Sequence, residues 1–184
     1  MVEFETDRLR IRRFRMDEAE AMAGYRSDPE VSRWVPWSPP YPVEKARELI
    51  GTAGARAGLE RGAWSLMAIE RRVDGALIGD CVVKLNGEDG QQALVGYVVD
   101  RAHHGHGYAT EVVRGLVGVL FETHRLHRLS AYVCEENRVS QHVLEKVGFR
   151  REAHFVEGLL LKGAWVSEFL YAILRCEWDN AARS

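Results

Sequence analysis

A mixed α+β domain, a sheet flanked by helices, is the fold class this chain predicts. Three observations predict it. The hydrophobic period switches repeatedly between two and about 3.6 residues. The elements so marked run β-α-α-β-β-β-α-β-α-β-β. A length of 184 residues suits one core, residues 1–184 forming a single domain. Hydrophobic residues at 46% and charged residues at 28% exclude wholesale disorder.

After the turn-like Thr6-Asp7, Leu9, Ile11 and Arg13 with their neighbours alternate as a first strand. Asp17 predicts an N-cap for a helix through Arg26, stopped before Asp28-Pro29 because the residue before proline resists the α region. All five prolines fall between Pro29 and Pro42, with Trp34, Trp37 and Tyr41 among them. That loop is too aromatic to be a mere linker. Pro42-Val43-Glu44 opens a helix of roughly 18 residues, with Ala46, Leu49, Ile50, Ala53 and Ala57 on one face. Trp64–Glu70, Leu77–Leu85 and Ala93–Val99 read as antiparallel strands joined at Val73-Asp74-Gly75 and Asn86–Gly90. A helix then runs through Thr123, a strand through Leu129–Val133, and a helix through Asn137–Val147, ended by Gly148. Phe155–Leu161, the turn Lys162-Gly163 and Trp165–Leu174 predict a terminal hairpin.

Charge and composition narrow the function. A net charge of −2 gives no electrostatic case for nucleic acid or an anionic membrane as partner. No segment approaches the roughly 18 uncharged apolar residues of a membrane helix. The first residues lack the basic and apolar regions of a signal peptide. Cys81, Cys134 and Cys176 are widely spaced in apolar runs, as buried reduced thiols of a cytoplasmic protein would be. Seven histidines form no metal-ligand motif, so no metal is expected.

The segment Val95–Glu111 carries the chemistry. It is a β-branched strand, a turn holding Gly105 and Gly107, and the start of a helix. Glycines at a strand-to-helix junction let backbone N–H groups approach an anion. The helix N-terminus adds orphan donors and the positive end of its dipole. Such a site holds phosphate or pyrophosphate.

Four stretches, in order and at compatible spacing, resemble the GNAT N-acetyltransferase superfamily, in particular its ribosomal-protein N-terminal acetyltransferase (Rim-type) branch. Thr6–Arg12 resembles that branch's opening, and Gly96-Tyr97 through Glu111 the superfamily's central motif. Asn137–Phe149 is similar to its Asn-x-x-Ser…Glu-Lys-x-Gly-Phe helix, and Gly163-Ala164-Trp165 to Tyr171 to its closing hairpin. The resemblance covers nearly the whole chain. It implies the GNAT fold, whose mostly antiparallel twisted sheet splays at the cofactor site, and acetyl-CoA as co-substrate.

It implies that peptide groups of Tyr97, Val98 and Val99 pair with the pantetheine, with Val98 N–H polarising the thioester carbonyl. The pyrophosphate would rest on N–H groups of Gly105, His106, Gly107, Tyr108, Ala109 and Thr110. His104 stands where the family usually has Arg or Gln. Asn137 would bond the pantetheine or acyl carbonyl, and Ser140 would protonate the departing thiolate. Both residue types are also favoured in a helix's first turn, so each can cap and act. Leu144 replaces the tyrosine acid of many members, and Ala93-Leu94-Val95 replaces a frequent glutamate. The base is therefore open: a water relay, or a carboxylate such as Glu157 or Asp80. Trp34, Trp37 and Tyr41 are candidates for the wall of an acceptor cleft or for cover over the core. The acceptor would be a protein N-terminus or small-molecule amine, and the resemblance admits a homodimer. Two other readings stay open, a non-catalytic acyl-CoA sensor and a transferase using another donor such as succinyl-CoA.

Overall fold

The computed structural model describes residues 2–56 and 58–181. Eight strands form one sheet: β1 (Phe4–Glu5), β2 (Leu9–Arg12), β3 (Trp64–Arg71), β4 (Ala76–Asn86), β5 (Gln92–Val99), β6 (Arg128–Cys134), β7 (Arg150–Leu161) and β8 (Ala164–Leu174). Their spatial order is β1-β2-β3-β4-β5-β6-β8-β7. Among these eight strands of the described residues, only β5 and β6 pair in parallel. That pairing needs a crossover, and α4 (Tyr108–Glu122) supplies it.

Helices α1 (Ala19–Arg26), α2 (Pro29–Ser32) and α3 (Val43–Leu49) precede β3; α5 (Arg138–Val147) follows β6, and α6 (Arg175–Ala181) follows β8. On one face α4 and α5 bury Val112, Leu116, Leu120 and Leu144 against Ile69, Cys81, Val83 and Val95. On the other, Met22, Ala46 and Ile50 of the first three helices' region pack with Leu66, Ala68, Val82 and Val98. Truncating a fully buried leucine such as Leu116 to alanine removes about 2–5 kcal/mol.

One irregularity shapes the site. Ile69 pairs with Gly79 but Glu70 with Leu77, so Ile78 bulges out of register. The extra residue reverses the alternation of sides. Ile78 and Cys81 thus both face α4, while Asp80 turns towards α1.

The elements differ from expectation in a few places. Asp17 lies inside the first turn, not at the cap. Arg15 has the extended backbone of a cap (φ −94°, ψ 147°), and its N–H donates to the Glu18 carboxylate at 2.8 Å. The helix after Pro42 is shorter than expected: α3 passes into a wider π-type turn over Ile50–Gly54, where Gly51 and Gly54 weaken the α-helix. Ala57, expected on its apolar face, lies outside the described residues. Within the proline-rich loop, Asp28 caps the short α2 by accepting from Glu30 N–H at 2.8 Å. Cys81 and Cys134 are buried thiols, but Cys176 is exposed, because α6 turns it outward.

Candidate active site

The parallel pairing of β5 with β6 covers only Gln92↔Arg128, Ala93↔Leu129 and Leu94↔Ser130. Beyond it β5 stays paired with β4 to Val99, and β6 stays paired with β8 to Cys134. The sheet therefore splits, leaving Val95–Val99 with an open edge towards β6. Asp100 N–H donates to Ile78 O at 2.8 Å on the β4 side. Strand peptide groups alternate sides, so Val95, Tyr97 and Val99 present theirs to the split. Val98 points its amide at β4, where it pairs with Asp80. That alternation sets Val98 N–H, expected at the cleft, on the β4 side and leaves the amides of Tyr97 and Val99 on the open edge.

The open edge runs into the loop before α4. Gly105 (φ 78°) and Gly107 (φ 79°) adopt left-handed backbone that side chains disfavour, and Gly107 is the α4 N-cap. Glu111 N–H makes the first helical bond, to Gly107 O at 3.1 Å. The N–H groups of Gly105, His106, Gly107, Tyr108, Ala109 and Thr110 have no acceptor among the described residues. An ordinary helix start leaves about four such donors. The cradle fits a pyrophosphate. His104 turns away from it, its Nε2 meeting Val99 O at 2.8 Å and tying the loop to the strand end.

The Thr6-Asp7-Arg8 opening latches this loop. The Glu111 carboxylate accepts from Thr6 Oγ1 at 2.5 Å, Arg8 N–H at 3.0 Å and Arg8 Nε at 2.7 Å. Arg8 Nη1 also donates to His106 O at 3.0 Å, and its guanidinium lies 4.6 Å from the Tyr108 ring. Burial pushes Glu111 up, but the Thr6 and Arg8 hydrogen bonds outweigh it and hold the carboxyl below its ordinary range. In sequence Arg8 resembles its many basic neighbours, so this role was illegible there.

Across the split stands the N-terminus of α5. Asn137 caps it by accepting from Ser140 N–H at 3.2 Å, and Asn137 N–H donates to Cys134 O at 2.9 Å. Ser140 Oγ lies 3.0 Å from Tyr97 Oη. Burial pushes the Tyr97 phenol up to about 12, with the Ser140 hydrogen bond opposing it. The sequence points to the Tyr97 peptide group; the structure adds its side chain, which meets Ser140 across the split.

The third wall is the aromatic loop. Buried Arg26 pairs with buried Asp80 at 2.9 Å, and Tyr25 Oη donates to the same carboxylate at 2.6 Å. Trp37 lies 4.3 Å and Tyr41 5.2 Å from the Arg26 guanidinium, and Trp37 Nε1 donates to Arg26 O at 3.2 Å. Both rings therefore spend contact on holding the loop down. Trp34 stacks instead on exposed Arg33, at 4.8 Å. Lys162, at the β7–β8 turn, donates to Ser32 O at 2.6 Å, joining the hairpin to α2. Asp80, bound by Tyr25 and Arg26, is poorly placed to act as a base. Glu157 lies exposed on the β7 bulge, at φ 47°.

Residues 8–150 match the family model described as acetyltransferase (GNAT) domain. An N-acetyltransferase of Bacillus licheniformis, p20, is 29% identical over 94% of this chain and 96% of its own length. The alanine N-acetyltransferase of ribosomal protein uS5 from Escherichia coli is 26% identical over 46% of this chain and 43% of its own. Among solved structures, Mycobacterium smegmatis RimJ in complex with CoA-disulfide superposes with a TM-score of 0.79 at 26% identity, covering 95% of this chain and 90% of RimJ. The split sheet, its donor-rich loop and these matches agree: the chain is an acyltransferase that belongs to the GNAT acetyltransferase family.

Proposed function

We propose that the protein transfers the acetyl group of acetyl-CoA to a primary amine, preferably a peptide N-terminus, by direct attack in a ternary complex. One observation carries this: the open β5 edge leads directly into six unsatisfied N–H groups at residues 105–110. Acetyl-CoA has the matching sequence of groups, an anionic pyrophosphate joined to an amide-bearing arm that ends in the thioester. Tyr97 and Val99 offer backbone donors to the thioester carbonyl, and Ser140 with Tyr97 forms a hydroxyl pair for the leaving sulfur. Cys81 and Cys134 are buried, with burial raising both thiols, which argues against a thiolate acyl carrier and for direct attack.

A peptide α-amine, with a pKa of about 8 against about 10.4 for lysine, needs less help to lose its proton. The uS5 enzyme's acceptor and the aromatic loop both favour such a substrate. The test is thiol release from acetyl-CoA with peptides of free N-terminus, lysine-bearing peptides with blocked N-termini, and polyamines. Release with the first group is expected; release with none would refute the transferase reading.

A further inference from the structure

β5 itself, Gln92–Val99, carries no carboxylate, and the register of the sheet points to one two strands away. Continued past Leu94↔Ser130, the β5–β6 register brings Val98 level with Cys134. Cys134 pairs with Glu168 on β8, and Glu168 with Phe155 on β7. One row therefore crosses the mouth of the split from Val98 to Cys134, Glu168 and Phe155. Directly paired residues share a face. Val98 packs on the α1–α3 face, so Cys134, Glu168 and Phe155 lie on that face too. This is the face of the aromatic loop, opposite the α4–α5 side where Tyr97 packs.

We propose that Glu168 is the general base, taking a proton from the acceptor ammonium directly or through one water. The rings of Tyr132 on β6 and Phe155 on β7 come within 6.1 Å of each other, closing over β8 beside Glu168. Glu168 itself is half-buried, and burial raises its pKa. The Glu168 carboxylate makes no hydrogen bond or ion pair with the described residues, so it is free for a ligand, unlike that of Asp80. The titratable groups facing it from β6 are the Cys134 thiol and the Tyr132 phenol; Phe155 faces it from β7. Cys134 cannot replace it, since burial and then the Glu168 charge raise the thiol's pKa. A carboxylate between exposed aromatic faces also attracts an ammonium before deprotonating it.

The balance is simple. The ammonium gives one proton to Glu168, the amine nitrogen bonds the thioester carbon, and the carbon–sulfur bond breaks. The nitrogen's second proton reaches the thiolate by way of Ser140, and Glu168 returns its own proton to solvent. This role rests on the transferase reading, and the experiment separates the two.

The acceptor kcat/KM is measured against pH for wild type, Glu168→Gln and Glu168→Asp, with thermal melts and acetyl-CoA titration of each. At pH 7 Glu168→Gln should lose at least about tenfold in kcat/KM, a typical size for a missing base. Its rate should then climb with the neutral fraction of the amine, with acetyl-CoA affinity unchanged. Glu168→Asp should keep the wild-type shape of profile at reduced rate, which covers the case of a Gln variant that fails to fold. A wild-type profile in Glu168→Gln, or in Glu168→Asp the steep amine-only profile, overturns Glu168 alone. A wild type that turns over no amine overturns the transferase reading itself.

Discussion

Replacing Gly79 by alanine tests how the open edge of β5 is held. A Cβ built at Gly79 would sit 2.1 Å from Val98 O and 3.0 Å from Val99 Cα. Carbon–oxygen contacts much under 3 Å do not survive, so β4 and β5 must part by about 1 Å. The bulge fixes both backbones, leaving no flexible side chain to give way. Overpacking of this kind costs about 1–3 kcal/mol, which for a chain of this size lowers the melting temperature by about 2–12 °C. The larger effect should be catalytic. Val98 and Val99 move with their peptide groups, and a displacement of about 1 Å costs about a hundredfold in rate. Urea unfolding, acetyl-CoA calorimetry and steady-state kinetics on the same preparation measure all three. Gly24→Ala in α1, where no atom lies within 4 Å, serves as control and should be neutral or stabilising. A Gly79→Ala protein with wild-type stability, acetyl-CoA affinity and turnover would refute this account of the edge.

Ser140→Ala should lower kcat while leaving KM for acetyl-CoA nearly unchanged if its hydroxyl, 3.0 Å from that of Tyr97, has the proposed role at the leaving sulfur; an unaffected kcat would remove it from the mechanism. Tyr97→Phe should shift kcat the same way by a smaller factor, and a rise in acetyl-CoA KM alone would make the phenol a binding group only. Glu111→Gln should destabilise the fold by about 1–2 kcal/mol at neutral pH. Because the folded pKa of Glu111 is depressed, its contribution is present above its unfolded value of 4.5 and lost as pH falls through the folded one. Wild type and variant should therefore converge in acid, and a pH-independent gap would count against the latch. Trp34→Ala should reduce acceptor kcat/KM with acetyl-CoA affinity and stability intact, since its ring does not brace Arg26; unchanged acceptor kinetics would return Trp34 to packing.

Elements that bury a regular stripe were legible in the sequence: β3 to β6, α4 and α5 lie within a residue or two of expectation. β1, two residues long, carries no readable period, and α2 hides in the proline-rich loop. The π-type turn after α3 arises from glycines inside an apolar pattern that favours a plain helix. In the site, the donor loop was readable because glycine spacing dictates local backbone. The Tyr25–Arg26–Asp80 cluster was not, because a charged residue in a helix reads as solvated until the bulge at Ile78 turns Asp80 beneath it. Glu168 was invisible for a similar reason. Its place opposite Cys134 depends on the register of two pairings that lie far apart in sequence.

The central claim, that backbone donors at residues 105–110 hold the pyrophosphate of acetyl-CoA, is tested most directly by calorimetric titration of acetyl-CoA into wild type, Gly107→Val and His104→Ala. A β-branched residue cannot adopt φ 79° without strain, so Gly107→Val should abolish detectable binding while circular dichroism shows a folded protein. The His104 imidazole bonds Val99 O and not the cradle, so its loss should weaken binding by less than about tenfold, or 1.4 kcal/mol. Wild-type affinity in Gly107→Val would contradict the assignment.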